Sequence, residues 1–187
     1  YLCPLRGAPP PDLLDPLVAD PTQQVAVTAP GPDGTPTVVA HAAERAQTPT
    51  ATLPAGPLTW AERWVLVHSP SWHDSEVAAL ERRLGRAEQA LTSLLVPRRG
   101  KTRPATRTAA EQAIAAILAE ADVADLLQVD LQVTTTTRTV GAYRDRPART
   151  ETDETLDLTV TRQDAAIRQA RARLGWRVYA TNAPAAP

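Results

Sequence analysis

The hydrophobic pattern of the chain changes period several times, and each change marks an element. Between residues 71 and 96 the apolar side chains fall at Val77, Leu80, Leu84, Ala87, Leu91 and Leu94, steps of three and four that draw one stripe along a helix. Ser71 followed by Asp74 resembles a capping box with Asp in place of Glu, and Pro97 ends the run. A second helix, opening at Pro104 or Thr108 and running through Ala121, carries a narrower stripe of Ala110, Ala113, Ile114, Ile117 and Ala121. Small alanines let two helix axes approach closely, so 71–121 reads as an antiparallel helical hairpin.

Beyond it the period drops to two. Val129, Leu131, Val133, Thr135 and Thr137 alternate with Gln128, Asp130, Gln132, Thr134 and Thr136, which describes a strand with one apolar side. A turn around Gly141 to Pro147 leads to a return strand with Leu156, Leu158 and Val160 on one face and Glu151, Asp153 and Asp157 on the other, giving a β-hairpin over 126–161. An amphipathic helix from Asp164 to Leu174 then stops at Gly175. The closing stretch Leu174 to Ala183, LGWRVYATNA, and the opening Tyr1 to Leu5, YLCPL, are short apolar runs with little alternation. That pattern predicts two partner strands, each buried on both faces.

The first third of the chain is patterned differently. Twelve of the eighteen prolines fall between Pro4 and Pro57, and a proline in a helix interior costs about 3 kcal/mol, so long helices are excluded there. One short helix fits at Pro11 to Ala19, with Leu13, Leu14, Leu17 and Val18 apolar. The turn sequence PGPDGTP, Pro30 to Pro36, separates Val25–Thr28 from Thr37–Ala43 and predicts a β-hairpin. Leu58 to His68 reads as one strand with Leu58, Trp60, Trp64 and Leu66 on one face. The two tryptophans there form either a platform for stacking nucleic-acid bases or the core of a small β-meander. Burial is favoured in a chain with four Trp, three Tyr and no Phe.

Composition narrows the class. A chain of 187 residues forms one ordinary domain, or one domain and part of another. The net charge is -1, Lys101 is the only lysine, and Met and Phe are absent, a bias that GC-rich coding explains. The lack of any methionine suggests a piece of a longer protein. Cys3 is the sole cysteine, which excludes an internal disulfide or a cysteine-built zinc site and fits a reducing cytoplasm. The longest apolar runs, such as Trp64 to Val67, fall far short of the roughly 20 residues that cross a bilayer.

Several groups of residues have chemical potential. Arg98, Arg99, Lys101 and Arg103 crowd into the loop RRGKTR at the tip of the helical hairpin, with Arg107 just beyond and Gly100 giving backbone freedom. They suit phosphate contact, or they are a solvated loop. His68 and His73 lie five apart while His41 stands alone on a strand, and imidazole ligation of a metal requires a third and usually a fourth ligand. Glu151, Asp153 and Asp157 share a strand face, which a solvated surface explains as well as a hard cation does. Asp122, Asp125 and Asp130 sit at a helix-to-strand junction, where Asp125 reads as a turn or capping residue. Ser69, Ser71 and Ser93 lack a GxSxG-type setting.

The strings YLCPL, ERW (Glu62 to Trp64), VLVHSP (Val65 to Pro70), ALERRLGRAEQAL and RLGWRVYATNAP together resemble the DDE transposases of bacterial insertion sequences, closest to the insertion-sequence-four class. The resemblance covers nearly the whole chain. It implies a ribonuclease H-like nuclease that cuts and joins DNA at transposon ends, with Mg2+ ions held by three carboxylates. In that family the first two aspartates precede a strand resembling Tyr1–Leu5. The glutamate follows a strand resembling Trp176–Thr181, on a helix spaced Tyr, two residues, Arg, three residues, Glu, six residues, Lys. Both places fall outside these 187 residues, and the one internal near-match, Tyr143 and Arg146, has Thr150 for the glutamate and Asp157 for the lysine.

The resemblance therefore implies an α+β chain with partial ribonuclease H-like core strands at both ends, 1–20 and 162–187. Between them, 21–161 forms an inserted β-meander plus antiparallel helical hairpin. It implies DNA as partner, contacts at Arg98, Arg99, Lys101 and Arg103, and no catalytic or metal-binding residue in this chain. A second class of reading is a stand-alone interaction module that self-associates through the Val77 to Leu94 seam.

Overall fold

The computed structural model describes residues 2–7, 9–97, 103–141 and 149–183, with 140, 149 and 151–153 described in backbone only. The chain is mixed α+β, its helices accompanied by antiparallel sheets, and it divides into two compact units. The first comprises 1–78 and 169–187, the second 79–168.

In the first unit a five-stranded antiparallel sheet has the order β1-β9-β6-β3-β2. Its strands are β1 (Leu2–Pro4), β2 (Val25–Pro30), β3 (Pro36–Gln47), β6 (Glu62–His68) and β9 (Trp176–Thr181). The end strands pair directly, Cys3 opposite Ala180, as the sequence predicts. Burial on both faces is corrected for β1, which is a sheet edge with Leu2, Cys3 and Pro4 all exposed. In β9, Trp176, Val178 and Ala180 are buried on one face while Arg177 is exposed. Strands β2, β3 and β6, grouped by the sequence pattern with the insertion, are hydrogen-bonded into this same sheet. β6 lies between β9 and β3.

The predicted helix α1 (Pro11–Ala19) forms with those bounds. It presses Leu14 and Leu17 onto Ala43, Leu66, Trp176 and Val178, and this is the core of the unit. The predicted β2–β3 hairpin also forms, around a turn in which Asp33 accepts the Thr35 amide at 3.1 Å. Pairing passes from Val27–Ala40 to Thr28–Val38, so Val39 is an extra, bulged residue. The single strand expected over Leu58 to His68 is corrected. It breaks at Trp60–Ala61 into β5 (Gly56–Thr59), which pairs only with β4 (Thr50–Leu53), and β6. Trp64 packs against the core, but Trp60 is 37% exposed and its indole donates to Glu62 at 3.3 Å. Pattern alone misses the break because even spacing continues across it.

In the second unit, α2 (Pro70–Thr92, which begins in the first unit) and α3 (Arg107–Ala121) make the antiparallel pair. Arg83 of α2 reaches Asp122 just past α3, and Ala87 and Ala90 line a groove with Ile117 and Ala121, so rising numbers on one helix meet falling numbers on the other. Leu80, Leu84, Ala87 and Leu91 of the predicted stripe are buried. The capping box at Ser71 does not form. The helix starts one residue earlier at Pro70, where a missing N–H costs nothing, and Ser69 O accepts the His73 amide at 2.9 Å. Thr106 caps α3, its hydroxyl accepting the Ala109 amide at 3.3 Å.

β7 (Leu127–Val140) and β8 (Arg149–Arg162) form a long two-stranded ribbon in continuous register. Leu127 is buried and Val129, Leu131 and Val133 are half-buried, whereas 134–139 are exposed on both faces. The turn predicted at Gly141 to Pro147 lies, after Gly141, outside the described residues. Helix α4 (Asp164–Ala172) buries Ile167 and leads through Gly175 to β9.

Candidate functional site

Of the four cations proposed for phosphate contact, Arg98, Arg99 and Lys101 lie outside the described residues. Arg103 is exposed, as contact with DNA requires, but it shares a shallow depression with Glu154, Leu95 and Leu156, so a carboxylate of β8 lies near it. Arg107, just beyond, is taken by Glu111 at 2.7 Å one helical turn on. Arg103 and Arg107 thus each have a carboxylate nearby.

The arrangement with most chemistry among the described residues is a histidine corner in the first unit. His68 is the last residue of β6, directly opposite His41 on β3 and Trp176 on β9. Residues directly opposite in an antiparallel sheet share a face, so the three make one row. After the Ser69–Pro70 turn, the first turn of α2 brings His73 onto that row, its ring centroid 5.4 Å from that of His68, while the His68 and Trp176 centroids are 5.0 Å apart. Every histidine in the chain belongs to this corner.

Gly175 fixes the corner. Its φ is +79°, and a Cβ there would lie 2.7 to 2.9 Å from the His73 Cβ, Cα and amide nitrogen. Its carbonyl accepts the Ser69 amide at 3.0 Å and its amide donates to Glu76 Oε2 at 2.7 Å. His73 Nδ1 sits 3.3 Å from Leu174 O, and Glu76 Oε1 accepts from Arg177 at 2.7 Å. The Arg177 guanidinium also lies 5.1 Å over the exposed Trp72 ring.

The electrostatics follow from these contacts. Burial, then the neighbouring His73 and His41, push the His68 imidazole below its ordinary range. Burial would raise the Glu76 carboxyl, but the Gly175 amide and Arg177 outweigh it and hold the group low. The corner thus keeps one imidazole neutral and one carboxylate ionised.

His41 is the one histidine of β3, as the sequence suggests, but the β3–β6 register sets it beside His68. No spacing rule finds this, since 27 residues separate the two. The three rings still do not amount to a metal centre. Among the described residues no three His, Cys, Asp or Glu side chains gather in a way that holds a metal ion.

The other candidates stay apart. Asp122 adopts a left-handed backbone, φ 53°, and pairs with Arg83 at 2.8 Å, Asp125 lies in a turn, and Asp130 accepts from Gln132 at 3.3 Å. Asp157 is exposed and accepts the Leu158 amide at 3.0 Å, whereas the side chains of Glu151 and Asp153 lie outside the description. Tyr143 and Arg146 lie outside it too, and Thr150 sits on strand β8 rather than on a helix. The Ser69 and Ser71 hydroxyls bond each other at 3.1 Å, and Ser93 donates to Ala90 O at 3.1 Å.

A site the sequence reading does not anticipate is Arg162, at the end of β8. It makes two bonds to Glu88, at 2.6 and 2.8 Å, and one to Glu81 at 2.9 Å. Arg162 holds the Glu88 carboxyl below its ordinary range, so this is a ready-made ion cluster tying the ribbon to α2.

Comparison with protein-family models, with curated proteins and with solved structures finds no match for this chain. No helix among the described residues is long and apolar enough to cross a membrane.

Proposed function

We propose that the chain is part of a DDE-type transposase, serving as scaffold and DNA-contact region of a nuclease with a ribonuclease H-like core. The observation that supports this is the meeting of the strings that carry the resemblance. YLCPL, ERWVLVH and WRVYAT, far apart in sequence, supply three adjacent strands of one sheet, β1, β6 and β9, with β9 in the centre.

On this reading the Mg2+ that the family uses is held by carboxylates other than those of this chain. No step of phosphoryl transfer is assigned to the described residues. The chain's contribution is positional, with Arg98, Arg99, Lys101 and Arg103 as the proposed backbone contacts. The reading of a module that dimerises through Val77 to Leu94 gains no support, since Leu80, Leu84, Ala87 and Leu91 are already buried within the chain.

The test is the coding sequence on either side, followed by activity of the longer product. The reading requires two aspartates upstream, a Tyr, Arg, Glu, Lys helix downstream, and DNA cleavage that depends on Mg2+ or Mn2+. An open frame with neither feature overturns it. For the loop, Arg98, Arg99, Lys101 and Arg103 changed together to Gln should lower the slope of log affinity against log salt by roughly two to four units. An unchanged slope removes the loop from the interface.

A further inference from the structure

We propose that the row His41–His68–His73 is an acid-sensitive latch, which holds the first turn of α2 against β9 at neutral pH and releases it when the row takes up protons. The inference rests on what surrounds the row. β3 contributes His41 and β6 contributes His68 itself. β2, whose Ala26 lies opposite His41, carries no titratable side chain. From β9 come Trp176, which lies against His68, and Arg177 beside it. From α2 come His73 and, one turn on, Glu76; Asp74 between them is exposed.

These neighbours offer a cation on His68 little, whereas His73 has the Leu174 carbonyl 3.3 Å from its Nδ1. Among the described residues no carboxylate is hydrogen-bonded to any of the three rings. Glu76 acts on His73 electrostatically, but its two oxygens are already bonded to the Gly175 amide and to Arg177. A proton on His68 faces two further imidazoles, that of His73 in edge contact with it, and the apolar core. The relief available is for α2 to swing His73 away, because β3 and β6 are locked by a continuous ladder, while the α2 start is held by side-chain and turn contacts: the Ser69 amide on Gly175 O, Glu76 on the Gly175 amide and Arg177, and His73 Nδ1 near Leu174 O. Three histidines on three elements, converging with no bonded counter-charge, make the proton the ligand this corner responds to.

The experiment is a pH titration of the full chain between 8 and 5, following histidine ring signals and backbone amides by NMR. The latch requires His68 to titrate with a midpoint below 6.5, and the amides of Gly175 and 71–76 to shift with the same midpoint while those of Leu66 and Val178 do not. In His68→Phe, which keeps a ring against Trp176, the shift at Gly175 should lose most of its amplitude. A His68 midpoint at or above 6.5, or 71–76 and Gly175 amides that do not follow it, overturns the proposal. So does a folded His68→Phe that retains the transition. If that variant does not fold, the wild-type titration decides the question alone.

Discussion

Gly175 is the residue on which the first unit is most exacting. Its positive φ suits glycine, and its missing side chain leaves room for His73, which a Cβ at 175 would meet at 2.7 to 2.9 Å. Gly175→Ala meets the His73 backbone rather than a movable side-chain tip, so we expect a loss of about 2 to 4 kcal/mol in urea unfolding. Gly34, also at positive φ but with open space around it, is the internal contrast. Gly34→Ala should cost only about 1 kcal/mol, from backbone strain alone. Trp64 offers a second test. Its ring packs on the core, yet its indole N–H is buried with no acceptor among the described residues. Trp64→Phe, which removes that unmet donor, should change stability by less than about 1 kcal/mol, while Trp64→Ala should cost about 2 to 3 kcal/mol.

Among the elements, the ribbon β7–β8 shows how uneven the second unit is. Its inner half has apolar residues facing the fold, and its outer half is threonine-rich and exposed on both faces. An isolated two-stranded ribbon is marginal in water, so hydrogen exchange should be slow at 127–133 and faster by at least an order of magnitude at 134–139. Uniform protection along the ribbon would contradict this. The inner half is also clamped by Arg162, whose pairing is bidentate but whose side chain is 37% exposed, so solvent screening limits its contribution. Arg162→Met should cost about 1 kcal/mol at neutral pH. Glu88 is ionised more readily in the folded state because of that arginine, so the contribution is present above its unfolded value of 4.5 and fades as pH falls below it. The two proteins should therefore converge in stability as pH falls below 4.5 and through the lower folded value of Glu88.

At the scale of the molecule, the same linkage gives an acid profile. His68, Glu76 and Glu88 are each held below their ordinary values, so the unfolded chain binds more protons than the folded one wherever these groups titrate. Stability should be greatest above about pH 6.5, fall in a first step as unfolded His68 becomes protonated, and fall again below 4.5 as the carboxylates follow. Urea unfolding at pH 7.5, 5.5 and 4 measures both steps, and stability that rises on acidification from 7.5 to 5.5 would contradict the assignment of His68.

The sequence by itself determined the elements whose signal is local. The bounds of α1 follow from Pro11 and from Leu14 and Leu17 one turn apart, α2 from its stripe, the β2–β3 turn from PGPDGTP, and β7 and β8 from strict alternation. These depend on backbone preference and on which side of an element is apolar, and both are written within a few residues. Tertiary structure alone decided which strands are neighbours. β6 lies between β3 and β9, and that order broke the expected Leu58–His68 strand, left Trp60 exposed and made β1 an edge. It also gathered His41, His68 and His73, because register across a sheet sets side chains together without any relation to their spacing along the chain. Arg162 met Glu81 and Glu88 for the same reason: an ion pair between a strand end and a helix 74 residues away has no local signature.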